Sequence, residues 1–231
     1  MKTIGLIGGM SWESSLVYYK IINEKVREEL GGFHSAKCVM ISLDFAEIET
    51  LQMQNKWSDA TDKLIEAARQ ASTAGSECIV ICTNTMHKLA DEIVKQIDMP
   101  LLHIADATAE KVNDLHISKI GLLGTRFTME EDFYRGRLEK NFGLEVLIPD
   151  EQGKKIVHEV IYEELVKGVI RGESRMQYRE IMSNMVDKGA QGIILGCTEI
   201  GLLVKEEDAS VPLFDTTRIH AEKAVEFALG L

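Results

Sequence analysis

Short apolar runs alternate with longer amphipathic segments along almost the whole chain. The apolar runs are bounded by glycine or proline, which is typical of short buried strands. Between them, apolar residues recur at helical spacing; in residues 12–30 these are Leu16, Tyr19, Ile22 and Val26. Regular alternation of strand and helix patterns is typical of βαβ units. The pattern therefore predicts an α/β fold with parallel sheets.

The predicted elements fall into two similar sets. The predicted strands are residues 3–7, 37–43, 77–82 and 101–104, followed by 119–123, 144–148 and 191–196. The predicted helices are residues 12–30, 52–74, 86–97, 127–142, 153–167 and 173–187. The segment 211–214 corresponds to 99–102, since each contains a proline followed by two apolar residues.

The two sets align as copies of one unit. Placing Gly75 on Gly189 aligns Thr83 with Cys197, 114 residues later, without a gap. The glycine in the first strand of each set, and the proline before the last strand, repeat at nearly the same offset. One such match would be weak, but three at similar offsets make chance similarity improbable. The chain is therefore interpreted as a duplicated unit.

The duplication predicts two similar parallel-sheet α/β domains related by pseudo-two-fold symmetry, with the active site in the cleft between them. The predicted first domain comprises residues 1–99 and 211–231, and the second comprises residues 100–210. Ligands of open parallel sheets bind beyond the carboxyl ends of the strands. Thr83 and Cys197 each follow such a strand, so we expect them to face each other across the cleft.

Composition narrows the functional classes. The net charge of −11 argues against non-specific nucleic-acid binding, and no stretch approaches the roughly 20 apolar residues of a membrane span. The N-terminal apolar run is too short for a secretory signal, so we expect a cytoplasmic protein with free thiols. The four cysteines lack zinc spacing, so no metal is predicted. A nucleotide site is disfavoured because Ser11 stands where a G-x-G-x-x-G motif requires its third glycine.

Thr83 and Cys197 are the candidate reactive residues. Both are expected to begin helices, where main-chain N–H groups bind anions, so we expect a lowered pKa for Cys197 and a helix-capping role for Thr83. Neighbouring residues of a strand point to opposite sides, so Cys82 should face away from Thr83. Two proton-transfer groups on opposite faces of one carboxylate would suit a racemase, which removes and returns an α-proton.

Three motifs resemble the cofactor-independent aspartate/glutamate racemase superfamily. They are Gly-Gly-Met at 8–10, Thr-Asn-Thr-Met-His at 83–87 and Gly-Cys-Thr-Glu at 196–199. The similarity extends over essentially the whole chain and is greatest to the L-aspartate/glutamate-specific or broad-specificity branch. The resemblance implies an isomerase without cofactor, a small amino acid as the bound partner, and a homodimer.

The resemblance also implies roles for individual residues. Cys197 would take the α-proton of the L-enantiomer and Thr83 would serve the opposite face, although most members carry a second cysteine at the position of Thr83. The implied substrate-binding residues are Met10, Gln52, Asn84, Thr85, Thr125, Lys167, Thr198 and Glu199.

Two alternatives stay open from the sequence. A single-cysteine decarboxylase of the arylmalonate type would also keep a cysteine only in the second copy, and it would protonate an enolate from one side. A catalytically impaired amino-acid-binding protein would account for the missing second thiol.

Overall fold

Each half of the chain forms a sheet of four parallel strands flanked by helices. The computed structural model describes residues 1–231 and confirms the predicted α/β class. The first sheet has the order β2-β1-β3-β4, with strands β1 Ile4–Gly8, β2 Cys38–Ser42, β3 Cys78–Ile81 and β4 Leu101–Leu102. The second has the order β6-β5-β7-β8, with strands β5 Lys119–Gly124, β6 Glu145–Leu147, β7 Ile193–Gly196 and β8 Leu213–Asp215.

Eleven α-helices lie between or after the strands. Their bounds are α1 Trp12–Leu30, α2 Phe45–Met53, α3 Trp57–Thr73, α4 Ala90–Val94, α5 Ile104–Asp114, α6 Arg126–Glu130, α7 Arg137–Phe142, α8 Glu151–Glu163, α9 Gly172–Asp187, α10 Ile200–Leu203 and α11 Thr216–Leu229. Short 3₁₀ helices cover Thr85–Leu89, Leu165–Lys167 and Glu206–Asp208, and a π-helical turn covers Asp132–Gly136. None of the helices combines the length and apolar character that crossing a membrane requires.

Four predicted helices are interrupted in the structure. The predicted helix 153–167 is α8, which ends at Glu163, followed by the 3₁₀ helix Leu165–Lys167. The predicted helix 52–74 is two helices, because the chain leaves α2 at Gln54 and passes through Asn55 in the left-handed region, with φ of 55°. The predicted helix 86–97 is a 3₁₀ helix followed by the single-turn α4. The predicted helix 127–142 contains the π-helical turn. Helical spacing of apolar residues therefore predicted helical character but not continuity.

The duplication is visible in the strand register. Gly5 pairs with Ile79 in the first sheet, and Gly121 pairs with Ile193 in the second; these are the aligned positions of the two halves. The corresponding glycines after α3 and α9 are also alike: Gly75 has φ of 90° and Gly189 has φ of 96°, both at positive φ, which glycine tolerates best. Both halves therefore fold by the same topology.

The chain divides into two units by its own contacts. The first unit is Met1–His103 with His220–Leu231, and the second is Ile104–Ile219. The chain leaves the first unit after β4, the strand that pairs with β3, and it leaves the second unit after β8, the strand that pairs with β7. The predicted boundaries, after residues 99 and 210, lie before those strands.

Alternate residues of β3 enter two different cores. Val80 and Cys82 pack towards α1 and α11, whereas Ile79 and Ile81 pack towards α3. The expectation that Cys82 faces away from the position of Thr83 is consistent with this alternation, because its buried thiol lies in the core on the α1 side. In the second sheet, Cys197 shares a core with α8 and α9.

The buried face of α1 differs from the simple helical pattern. Tyr18, Ile22 and Val26 are fully buried. Leu16 and Tyr19, which share the helical spacing, are instead exposed. The apolar residues of this helix therefore form two stripes, of which only one faces the core of the first unit.

Candidate functional site

The second unit presents Cys197 at the carboxyl end of β7, beside two buried polar residues. Its Sγ donates a hydrogen bond to Oε2 of Glu199 over 3.0 Å, and the hydroxyl of Thr198 donates to the same oxygen over 2.7 Å. Glu199 is only 3% exposed, and no basic side chain forms an ion pair with it. The unit thus holds a thiol, a hydroxyl and a buried carboxylate within hydrogen-bond distance.

The pKa of the Cys197 thiol is raised well above its ordinary value, so the predicted lowering is wrong. Burial is the largest cause, and the negative charge and hydrogen bond of Glu199 raise the pKa further. The main-chain N–H groups of Thr198 and Glu199 oppose this effect, as anticipated, but they are outweighed. The following helix, α10, is a single turn of four residues, so its dipole is small. At neutral pH Cys197 is therefore a thiol.

The first unit presents Thr83 at the carboxyl end of β3. Thr83 is half-buried, and its hydroxyl makes no hydrogen bond within the chain, whereas both of its main-chain groups are engaged. Its N–H donates to Ile81 over 2.9 Å, and its carbonyl oxygen accepts from Nδ1 of His87 over 2.8 Å. The residue that flanks the 3₁₀ helix is Asn84, not Thr83 as predicted.

The remaining predicted site residues of the first unit are buried near this strand end. Asn84 and Thr85 begin the 3₁₀ helix and are 2% and 6% exposed. Met10 and Gln52 are also buried, and Nε2 of Gln52 donates to Sδ of Met86 over 2.9 Å. Substrate binding by these four predicted residues stays a prediction.

The Gly-Gly turn after β1 is tightly enclosed. Gly9 has φ of 85°, and a Cβ there would stand 2.1 Å from the main-chain oxygen of Leu43. Its N–H donates to the Ser15 hydroxyl over 2.9 Å, and the neighbouring Ser14 hydroxyl donates to the carbonyl of Cys82 over 3.1 Å. The N-terminus of α1 thus holds the ends of β1 and β3 in place.

Two other predicted ligands have local roles. Thr125 begins α6, and its hydroxyl accepts the N–H of Thr128 as a helix cap over 3.3 Å. Lys167 is exposed and binds Glu163 over 2.7 Å, as an ordinary surface pair does. Their predicted contacts with substrate also stay predictions. No group of three His, Cys, Asp or Glu residues is arranged to hold a metal ion.

Sequence reasoning missed a cluster of histidines behind Thr83. His87, His103 and His220 lie together with Tyr18 in the first unit. The only local signal was the position of His87, one helical turn after Thr83. The other members come from α1, the end of β4 and α11, and no spacing along the chain indicates that they meet.

Comparison with known proteins identifies the family. The model of the family Asp/Glu/hydantoin racemase matches residues 7–224. A Yersinia pestis protein described as a candidate Asp/Glu racemase is 55% identical, with a TM-score of 0.94 over 99% of this chain and 100% of that one. An aspartate racemase homologue from Pyrococcus horikoshii OT3 is 36% identical, with a TM-score of 0.86 over the same shares.

A curated protein with a similar sequence is also a racemase. The broad specificity amino-acid racemase RacX of Bacillus subtilis is 22% identical over 72% of this chain and 71% of its own length. Because the family model covers nearly the whole chain, this protein belongs to the Asp/Glu/hydantoin racemase family.

Proposed function

We propose that the protein is a cofactor-independent racemase of aspartate, glutamate or related amino acids, with Cys197 and Thr83 as its two proton-transfer groups. The observation that carries the proposal is the contact between the Cys197 thiol and the buried Glu199 carboxylate. Such a pair can hold, release and recover one proton in a water-poor setting, as α-proton transfer requires.

The isolated charge of Glu199 favours an amino acid as substrate. A buried carboxylate without a cationic partner is costly, and the α-ammonium group of an amino acid would supply that cation. Bound there, the ammonium would offset the negative charge that raises the pKa of Cys197. Ionisation of the thiol would thereby be coupled to substrate binding.

The proton movements balance without a cofactor. In the direction from L to D, Cys197 gives its proton to Glu199, 3.0 Å away, and the resulting thiolate takes the α-proton. Thr83 then delivers a proton to the opposite face, either from its hydroxyl or from a water that it holds, and the proton on Glu199 returns through solvent to that oxygen. In the reverse direction the deprotonated oxygen at Thr83 takes the α-proton of the D-enantiomer, Cys197 delivers its thiol proton to the carbanion, and Glu199 returns a proton to the thiolate. Main-chain N–H groups at the two strand ends would stabilise the carboxylate as charge develops.

The equilibrium limits any preference for one enantiomer. Free enantiomers have equal free energies, so kcat/KM must be equal in the two directions. A preference for the L-enantiomer, as the family resemblance implies, can appear only in kcat and KM separately. One substrate molecule must also reach both Thr83 and Cys197, which the experiment below tests through the stereochemistry of exchange.

The test follows the α-proton of L-Asp, L-Glu and several neutral L-amino acids in D₂O, by NMR for deuterium and by chiral chromatography for the enantiomers. The wild type should incorporate deuterium together with the D-enantiomer. Cys197→Ser should lose both, and Thr83→Ala should lose inversion. Cys38→Ser is the matched control, since Cys38 is a half-buried strand thiol without a carboxylate partner and its loss should leave the rate unchanged.

A decarboxylase of the arylmalonate type is the second candidate, because a thiol with a raised pKa keeps its proton at neutral pH and so has one to give to an enolate. Glu199 argues against it, since a substrate with two carboxylates would meet an uncompensated negative charge. Release of CO₂ from an α-aryl malonate, with no α-exchange of amino acids, would replace the racemase proposal by this one. Binding of amino acids without exchange would favour a binding protein instead.

A further inference from the structure

Three buried histidines stand behind the turn that carries Thr83. His87 and His220 are 2% and 0% exposed, and His103 is 9% exposed. The ring centroid of His87 lies 4.7 Å from that of His103 and 5.5 Å from that of His220. His87 is therefore packed between two other imidazoles and has little room to change its side-chain conformation.

The hydrogen bonds of His220 assign its protons. Its Nε2 lies 2.8 Å from the carbonyl oxygen of Leu102, which can only accept, so Nε2 carries the hydrogen. Its Nδ1 lies 2.8 Å from the hydroxyl of the fully buried Tyr18 and accepts that proton. Burial, followed by the proximity of His87, lowers the pKa of His220 to about 3. His220 is thus neutral and is fastened to both α1 and β4.

The same reasoning assigns the proton of His87. Its Nδ1 lies 2.8 Å from the Thr83 carbonyl oxygen, so Nδ1 is the donor. The carbonyl before it, that of Cys82, accepts from Ser14 over 3.1 Å. Two successive carbonyls at the end of β3 are therefore held by side chains, and the Thr83 hydroxyl is left without a partner inside the chain.

The second unit holds its reactive residue differently. The position aligned with His87 is Gly201, which has no side chain, and the carbonyl of Cys197 accepts a main-chain bond from Ile200 over 3.1 Å. There the side chain itself is held, through Glu199. The histidine is thus an asymmetric feature of the copy that carries threonine.

We propose that His87 is a positioning residue for Thr83: its Nδ1–H holds the Thr83 carbonyl, and His103 and His220 hold its ring, so that the Thr83 hydroxyl is presented at the end of β3. The role rests on the proposed racemase function, in which Thr83 serves one face of the substrate. Loss of the Nδ1 donor should therefore slow the proton transfer on the Thr83 face and spare the one at Cys197.

Three substitutions separate the effect of the Nδ1–H donor of His87 from the effect of its ring. His87→Asn places an amide N–H close to the position of Nδ1, His87→Gln places it close to Nε2, and His87→Leu removes it. Racemisation should fall about 10- to 100-fold in the Gln and Leu variants, as small misplacements of a catalytic group commonly do, and should be largely retained in the Asn variant. Because one-sided exchange needs only Cys197, deuterium should still enter the L-enantiomer with retention.

A double variant tests whether His87 acts through Thr83. If it does, His87→Leu should add little to the loss of inversion in Thr83→Ala, since coupled residues are not additive. Thermal unfolding of each variant reports whether the fold is intact.

Hydrogen exchange of the free protein supplies a readout that needs no activity. Amides of residues 83–87 should exchange faster in the Gln and Leu variants and at the wild-type rate in the Asn variant. A wild type without any α-exchange would refute the racemase proposal, and this readout alone would then decide the positioning role.

Three outcomes overturn the inference: unchanged inversion in His87→Leu, equal loss of inversion and one-sided exchange in that variant when its fold is intact, or an Asn variant as impaired as the Leu variant.

Discussion

Replacing Glu199 by glutamine should make Cys197 markedly easier to ionise. The carboxylate lies 3.0 Å from Sγ, and its negative charge is the second cause, after burial, of the raised thiol pKa. Two like charges about 4 Å apart repel by about 1 kcal/mol in water and by about 4 kcal/mol at an effective dielectric constant of about 20. Removing one charge should therefore raise the thiolate fraction at a fixed pH by about fivefold to about a thousandfold.

The assay is the pH dependence of alkylation, because the thiolate is the reactive form. The rate of modification of Cys197 by iodoacetamide is followed by mass spectrometry in a Cys38→Ser background, which removes the one cysteine thiol that is not buried. In Glu199→Gln the profile should move to lower pH. Glu163→Gln, which removes an exposed carboxylate from the same unit, is the matched control and should leave the profile in place.

The reasoning would be refuted by a Glu199→Gln profile that is unchanged or moves to higher pH. Either result would mean that burial alone, or the lost hydrogen-bond geometry, governs the thiol. The same variant should racemise more slowly despite its more acidic thiol, since it lacks the carboxylate that attracts the substrate ammonium and accepts the thiol proton.

Three further predictions concern the fold, the histidine cluster and assembly. Gly9→Ala should lower the free energy of unfolding by at least about 2 kcal/mol, because of its positive φ and enclosed Cβ position; Gly31→Ala, also at positive φ but with open space around its Cβ, should cost less in denaturant titrations. His220→Gln should make stability less sensitive to acid. The lowered pKa of His220 means that the wild type loses up to about 1.4 kcal/mol per pH unit from this group as the pH falls from about 6.5 towards 3, which thermal unfolding against pH would measure. We propose that a second copy of the chain covers the exposed stripe of Trp12 and Leu16 on α1, so Leu16→Glu should convert a homodimer to a monomer in sedimentation velocity; an unchanged mass would exclude this stripe from the interface.

Much of the architecture followed from the sequence alone. The alternation of strand and helix patterns, and the repeat of the same residues after about 114 positions, predicted parallel sheets and two copies of one topology. Both predictions were confirmed. Such patterns can be read from the sequence because they depend on local burial and turn chemistry. The alignment of Thr83 with Cys197 required only the repeat. The direction of the Cys82 side chain followed from the two-residue period of a strand.

The chemistry at those strand ends depended on tertiary structure. The position of Cys197 before a predicted helix suggested that the helix start would lower its pKa. However, α10 is one turn long, and the Glu199 carboxylate accepts a hydrogen bond from the thiol. The sign of a pKa shift depends on burial and on distances of a few ångström between charges, which a sequence does not contain. Only His87 among the histidines near Thr83 had a signal in the sequence; the rest of the cluster was hidden, since Tyr18 and His220 are 202 residues apart and meet only in the folded unit. The sequence by itself determined which residues stand at the strand ends, and the tertiary structure decided which protons they hold, because ionisation depends on the surrounding groups rather than on order along the chain.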